Sequence, residues 1–431
     1  MGAEAQAFLV FSVGMLALMA TGMNMGLALV LTGAGMAWVL DFWDTQLLAQ
    51  NLVAGVDSFP LLAVPFFILA GELMNTGGIS RRIIDMAQAW VGHIRGGLGY
   101  VAIGAAVLLS AMSGSALADA AAMSSILLPM MRKNGYPVDS SAGLIAAGSV
   151  IGPIIPPSMA FVIYGVTTNT SISALFVSGV VPGLIMGAGL IVAWRWVLRG
   201  MELPPGPAPL PMREKLRTTG KAFWALLMPV IIIGGMKSGI FTPTEAAVVA
   251  AFYALVVALF VHREIRVADI YGVLVRAAKT TAIVMFLCAG AQVASYMITL
   301  ADLPSVLTGW LGPLVENPRL LMTVMMVVLV LIGTALDLTP TILIFAPVML
   351  PIAVKAGIDP VYFGLMFVLN GSIGLVTPPV GTVLNVVAGV GRISMPTVIR
   401  GVNPFLLTYV LIMALLVVFP QIVTAPVAWM R

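Results

Sequence analysis

Charge is scarce in this 431-residue sequence: Asp, Glu, Lys and Arg together make up 9% of it, where a soluble domain carries roughly 25%. That shortage excludes water as the principal solvent. The hydrophobic share is 60% and the mean hydropathy is +1.08. A bilayer span needs about 20 apolar residues, so the length accommodates roughly a dozen spans with short connections. Cysteine and histidine are almost missing. The single Cys288 excludes an intrachain disulfide and a cysteine redox pair. His93 and His262, beside Arg95 and Arg263, fall short of the ligand set of a catalytic zinc, so no transition-metal site is expected. An intramembrane enzyme would need a nucleophile with a base, or metal ligands, and these three residues are badly placed to supply them. The sequence therefore does not read as an enzyme. Met1 to Val10 contain no Lys or Arg, so the charged region of a secretion signal is missing and the chain reads as opening on a mature helix. The net charge of +4 is dispersed between apolar runs. Such cations look like topology determinants, and no nucleic-acid partner is expected.

Several apolar runs, among them Tyr100–Met112, Tyr362–Ile373 and Thr382–Val390, are too short to cross about 30 Å of hydrocarbon alone. Short runs in matching places of two halves signal re-entrant hairpins or broken helices. The halves do match. Residues 120–158 align without gaps on 342–380, with identities Leu128/Leu350, Pro129/Pro351, Lys133/Lys355, Gly135/Gly357, Ile151/Ile373, Gly152/Gly374, Pro156/Pro378 and Pro157/Pro379. Identities dominated by Gly and Pro point to shared backbone geometry rather than shared greasiness.

Charge gives the orientation of the repeat. Ser80–Gly97 holds Arg81, Arg82 and Arg95, while the corresponding Asp302–Arg319 holds one Arg with Asp302 and Glu316. Asp41–Ser58 is acidic, while Val261–Thr280 holds Arg263, Arg266, Arg276 and Lys279. Equivalent connections of opposite charge lie on opposite membrane faces. A trace with the N-terminus outside leaves Lys237, Arg319, Lys355 and Arg431 outside and puts 17 of the 21 cations in the cytoplasm. The expectation is an all-α polytopic membrane protein of two inverted-topology repeats. The first, 1–200, holds an arm helix 79–97, a re-entrant hairpin 98–132 and a broken helix 139–166. A Pro-rich cytoplasmic connector covers 201–221. The second, 222–431, repeats the pattern with an arm 301–318, a hairpin 319–354 and a broken helix 360–391. Trp90 and Trp310 suit the arms to the interfaces.

Two motifs could carry chemistry. Gly152-Pro-Ile-Ile-Pro-Pro157 and Gly374-Leu-Val-Thr-Pro-Pro379 each interrupt an apolar helix. Proline removes a donor and clashes with the preceding turn, freeing carbonyls that protein, water or a cation must satisfy. Unwound carbonyls with nearby hydroxyls make an oxygen site suited to sodium. The alternative is a pair of plain helix kinks. The second motif is a small, polar break inside each hairpin, at Ser110–Asp119 and Gly333–Thr341. Such a tip exposes amides and carbonyls to an ion or a carboxylate, or else serves only as a tight helix contact. Asp337, close to its break, is a site candidate. Asp119 aligns with Thr341 and lacks a symmetric partner, leaving its role open between site and brace. Glu72, at the end of a span beside the arm, reads as structural.

At these residues the sequence resembles a known family. PFFILAGELMNTGGISRRIID (Pro65–Asp85), MSGSALADAAAMSSILLPMMRKNGYP (Met112–Pro137), IGPIIPPSMAFVIYG (Ile151–Gly165) and IGLVTPPVGTVLNVVAG (Ile373–Gly389) closely resemble the large membrane subunit of tripartite ATP-independent periplasmic (TRAP) transporters. The resemblance runs from about Gly26 to about Leu411. It implies a sodium-coupled importer of the bacterial inner membrane with an elevator-type ion-transporter fold, sodium being the coupling ion and no cofactor being needed. It implies two protein partners: a separate small four-helix membrane subunit, and a periplasmic binding protein that delivers a solute, usually a carboxylate. Carried over, the first sodium site is Ser113, Ser115, Gly152, Ile155 and Pro157, acting partly through carbonyls. The second is Gly333, Asp337, Gly374, Thr377 and Pro379. Substrate is expected between the tips, near Ser115, Asp337 and Asn370. Symmetry fails at Ile155/Thr377 and Gly148/Asn370, so the two sites need not be equal. A self-sufficient sodium- or proton-coupled carboxylate carrier or antiporter of related inverted-repeat fold is the competing reading.

Overall fold

The computed structural model describes residues 6–7, 9–200, 202–203, 206–302 and 312–428. Among them all regular structure is helical. The helices are α1 (Met15–Ala20), α2 (Met25–Val39), α3 (Thr45–Ala54), α4 (Ala63–Thr76), α5 (Ile79–Val91), α6 (Gly97–Ser113), α7 (Ala116–Lys133), α8 (Val138–Ser149), α9 (Met159–Thr168) and α10 (Ile172–Val197). After the connector come α11 (Met212–Lys237), α12 (Pro243–Val256), α13 (Val267–Leu300), α14 (Pro318–Gly333), α15 (Leu338–Lys355), α16 (Pro360–Gly374), α17 (Thr382–Gly391), α18 (Met395–Val418) and α19 (Gln421–Ala428). Seven described helical stretches are long and apolar enough to span a bilayer, including Ile172–Gly200 and Met395–Val418. The shorter apolar helices include α6, α9, α14, α16 and α17, which are halves of hairpins or of interrupted helices.

Local sequence fixes these ends. The hairpin α6–α7 turns at Gly114, whose φ of +59° is open to glycine at little cost. Ser115 then caps α7 by accepting from the Ala118 amide at 3.4 Å. Asp359 caps α16 by accepting from the Val361 and Tyr362 amides at 2.9 Å, with Pro360 in the first turn where its missing N–H costs nothing. The arm helix α5 is amphipathic: Ile79, Ile83, Ile84 and Ala87 are buried, while Arg81 and Asp85 on the other face are exposed.

The halves pack by corresponding contacts. In each, the hairpin lies on the first part of its own interrupted helix, α6 and α7 on α8, and α14 and α15 on α16. The second part crosses to the other half: α9 packs on α15, and α17 packs on α7. Likewise α18 lies on α8 and α10 on α16. Tyr409 on α18 donates to the Ala147 carbonyl on α8 at 2.6 Å. A second body pairs α2 with α13 and α12 with α4. Two inverted halves that clasp each other's hairpins thus enclose the two loops.

Two sequence expectations are modified. Asp41–Ser58 and Val261–Thr280 are not plain connections, since α3 and the first turns of α13 run through them. In the first half Gly55 and Pro60 separate α3 from α4, whereas the 34 residues of α13 contain no proline and stay continuous. The connector is also partly helical, because Pro211 sets the entry to α11 and a polar, helix-favouring stretch follows. Trp310 and half of the second arm, 301–318, lie outside the described residues.

Candidate ion and substrate sites at the hairpin tips

At the first tip, two helix C-termini converge. α6 ends at Ser113 and α8 ends at Ser149, and each carries a partial negative charge on its last carbonyls. A β-carbon placed on Gly152 would lie 2.9 Å from Asp119 Oδ2 and 3.1 Å from the Ser115 carbonyl carbon. One placed on Gly114 would run into the Pro157 carbonyl oxygen. The tip therefore sits directly on the interrupted segment. Ser113 Oγ donates to Asp119 Oδ1 at 2.6 Å, and the Ser115 amide donates to Ser113 Oγ at 3.2 Å. Pro156–Pro157 is a cis peptide. Among the described residues, no amide donates to the Gly152, Ile155 or Pro157 carbonyls. The Ile155 side chain turns towards Gly183 on α10, leaving only its backbone for the site.

The second tip repeats this with less side-chain chemistry. α14 ends at Gly333 and α16 at Gly374, and these ends meet backbone to backbone. A β-carbon on Gly374 would fall 2.7 Å from the Gly333 Cα and 2.9 Å from its carbonyl oxygen. Thr377 Oγ1 donates to the Ile373 carbonyl at 2.8 Å, so its lone pairs stay available. Thr382, in the first turn of α17, donates to Asp337 Oδ1 at 3.3 Å. Pro378–Pro379 is cis, and no described amide donates to the Thr377 or Pro379 carbonyls. Unlike its counterpart at Gly152, the Gly374 carbonyl accepts from the Thr377 amide at 3.0 Å.

The structure brings Ser113, Ser115, Gly152 and Pro157 together at the first tip, and Gly333 and Gly374 together at the second, where Thr382 reaches Asp337; Ile155, Thr377 and Pro379 lie in the interrupted segments themselves. Asn370 is fully buried in α16 and its Nδ2 donates to the Met326 carbonyl on α14. No hydrogen bond among the described residues joins Ser115, Asp337 and Asn370. Asp119 acquires a place that its residue type alone left open. It is 2% exposed, faces Gly152, and its Oδ2 has no partner. A carboxylate in apolar surroundings was the signal for it. Thr382 gave none. Glu72, in contrast, pairs with Arg276 at 3.1 Å, away from both tips.

Oxygen atoms from carbonyls, hydroxyls and carboxylates, gathered where helix C-termini meet, suit a hard monovalent cation. Interlocked inverted halves with two such sites define a membrane transporter of the inverted-repeat, broken-helix class. The chain belongs to the family described as "Tripartite ATP-independent periplasmic transporter, DctM component", which it matches over residues 12–422. It is 49% identical to the 2,3-diketo-L-gulonate TRAP transporter large permease protein YiaN of Escherichia coli, over 99% of this chain and 100% of that one. It is 41% identical to the sialic acid TRAP transporter large permease protein SiaM of Vibrio cholerae, over 95% of both chains. Its fold is similar to that in the crystal structure of the Alcanivorax borkumensis YdaH transporter, at a TM-score of 0.63 and 16% identity, covering 86% of this chain and 87% of that one. The protein is therefore a multi-pass membrane TRAP transporter large permease.

Proposed function

We propose that this permease subunit couples sodium entry to uptake of a small carboxylate-bearing solute across the bacterial inner membrane. The reading rests on one observation above all. At both tips, carbonyls freed by a Gly-to-Pro-Pro interruption meet a hairpin end where helix C-termini converge. Each such cluster is rich in negative partial charge and poor in donors, and a cation resolves that imbalance. The first ion would be held by Ser113, Ser115, Gly152, Ile155 and Pro157, with the carboxylate of Asp119, which faces Gly152, beside them. The second would be held by Gly333, Asp337, Gly374, Thr377 and Pro379.

Substrate would enter between the tips near Ser115, Asp337 and Asn370, whose buried Oδ1 has no partner among the described residues. The relatives' named solutes, a diketogulonate and sialic acid, are both sugar acids, which supports a carboxylate cargo. Hairpins and interrupted helices would move as one body against α2, α4, α12 and α13, an elevator movement supported by the pairing of α2 with α13 and of α12 with α4. The N-terminus would face the periplasm. A separate small membrane subunit and a periplasmic binding protein would complete the transporter.

The deciding assay is uptake into proteoliposomes holding this chain with its small subunit, supplied with binding protein and a panel of sugar acids and dicarboxylates. Accumulation should require both an inward sodium gradient and the binding protein. Uptake that survives removal of either would sink the proposal. Independence from the binding protein alone would favour a self-sufficient carrier.

A further inference from the structure

A groove of about 770 Å³ lies between the arm helix α5, the first hairpin helix α6 and the long helix α10, away from both tips. Its walls are apolar. Ile103 and Val107 line the α6 side, and Leu184 and Ile191 line the α10 side. Leu184 is 54% exposed and Ile191 46% exposed. No acidic residue lines it, and its one charged lining residue is Arg195, in the last turn of α10. Trp90 on the arm closes the same end.

The dimensions are those of one membrane leaflet. From Leu184 to Arg195 the α10 wall rises about 16 Å at about 1.5 Å per residue. Half of a hydrocarbon core is about 15 Å. The groove therefore runs from the headgroup level to near the bilayer midplane, with its cation at the water end. A second cation sits there too: Lys215 Nζ lies 5.7 Å from the centroid of the Trp90 ring. The ring is held in place by its Nε1–H, which donates to Thr219 Oγ1 at 2.9 Å. Among the described residues neither Arg195 nor Lys215 makes an ion pair. An apolar trench one leaflet deep, with two unpaired cations and a fixed tryptophan at its mouth, matches an amphiphile with an anionic head.

We propose that this groove binds an anionic phospholipid, with an acyl chain along Ile103, Val107, Leu184 and Ile191 and the phosphate at Arg195 and Lys215. Zwitterionic lipid would fill the apolar trench but gain less at its mouth. Each cation near an anionic headgroup favours the anionic lipid by about fivefold.

The test is photo-crosslinking of the full chain, purified with its small membrane subunit in nanodiscs. The probes are phosphatidylglycerol and phosphatidylcholine, each with a photoreactive group in the acyl chain. Phosphatidylglycerol should label the Tyr100–Leu108 and Leu184–Ile191 peptides at least about fivefold more than phosphatidylcholine. Arg195→Gln should reduce that preference, and Arg195→Lys should keep it. Gly104→Leu should lower labelling by both lipids, because a β-carbon there meets only the Ala87 Cβ at 4.0 Å and the larger side chain can extend into the groove. Size-exclusion profiles of the variants report folding. Equal labelling by the two lipids overturns the proposal, as does labelling indifferent to both Arg195→Gln and Gly104→Leu. Labelling seen only without the small subunit also overturns it, and makes the groove a protein interface.

Discussion

Ser113 and Asp119 hold each other across the tip of the first hairpin, the serine hydroxyl donating to the carboxylate at 2.6 Å. The bond spends one carboxylate oxygen on the hairpin and turns the other towards Gly152. In this arrangement one residue braces the tip and also supplies charge to the interrupted helix behind it.

Asp119→Asn separates the two roles, since the amide oxygen can still accept from Ser113. The variant should assemble normally, while the sodium concentration for half-maximal uptake should rise. Ser113→Ala removes the group that orients Asp119, and positioning partners of this kind are worth roughly 10–100-fold in ion affinity. Uptake measured against sodium concentration reads both. An unchanged sodium dependence in Asp119→Asn would return Asp119 to a purely structural role.

Gly374→Ala should be severe, because its β-carbon would fall 2.7 Å from the Gly333 Cα, and backbone cannot rotate away as a side chain can. Overpacking of this sort costs about 1–3 kcal/mol, read as a lower thermal midpoint. Uptake should be lost as the two helix ends separate. Near-normal uptake in this variant would show that contact between Gly333 and Gly374 is not needed for the second site.

Asp337→Ala should abolish sodium-driven uptake and leave assembly with the small subunit intact. Thr382→Val, which removes only the 3.3 Å donor to Asp337, should weaken sodium dependence without abolishing uptake. Wild-type sodium dependence in Asp337→Ala would remove that residue from the site.

His262, just beyond the span that ends at Val261, reports on acid stability at that end of the helix. Burial, and then the Arg82 guanidinium, hold its pKa below the ordinary value. Arg82 itself pairs with Glu264 at 2.8 Å. The unfolded chain therefore takes up this proton more readily than the folded one. The stability contribution is complete above about pH 6.5 and declines as pH falls through the depressed pKa. Thermal unfolding followed from pH 7.5 to 5 should show a loss on the acid side that is smaller in His262→Gln. Superimposable pH profiles would show that His262 contributes nothing.

Much of this protein is legible in its sequence, for physical reasons. A bilayer has no donors or acceptors, so helix lengths and breaks are written in apolar runs and prolines. Gly and Pro that recur in two halves specify the same backbone twice, which is why the Gly152 and Gly374 interruptions could be paired residue by residue. Local rules also give the ends: Ser115, Asp359 and Gly114 cap or turn their helices through neighbours in the chain.

Tertiary structure decided what distant segments do to one another. That α9 packs on α15 and α17 on α7 is not written in any local pattern, because an apolar helix face fits many partners. Asn370 illustrates the difference, since nothing local to it says that its Nδ2 donates to the Met326 carbonyl of α14 while its Oδ1 is left without a partner. The continuity of α13 followed from the absence of proline in a stretch whose charges alone suggested a loop. Asp119 is the clearest case. The sequence placed a carboxylate in an apolar hairpin, but only the approach of α8 to the tip put Gly152 in front of its free oxygen.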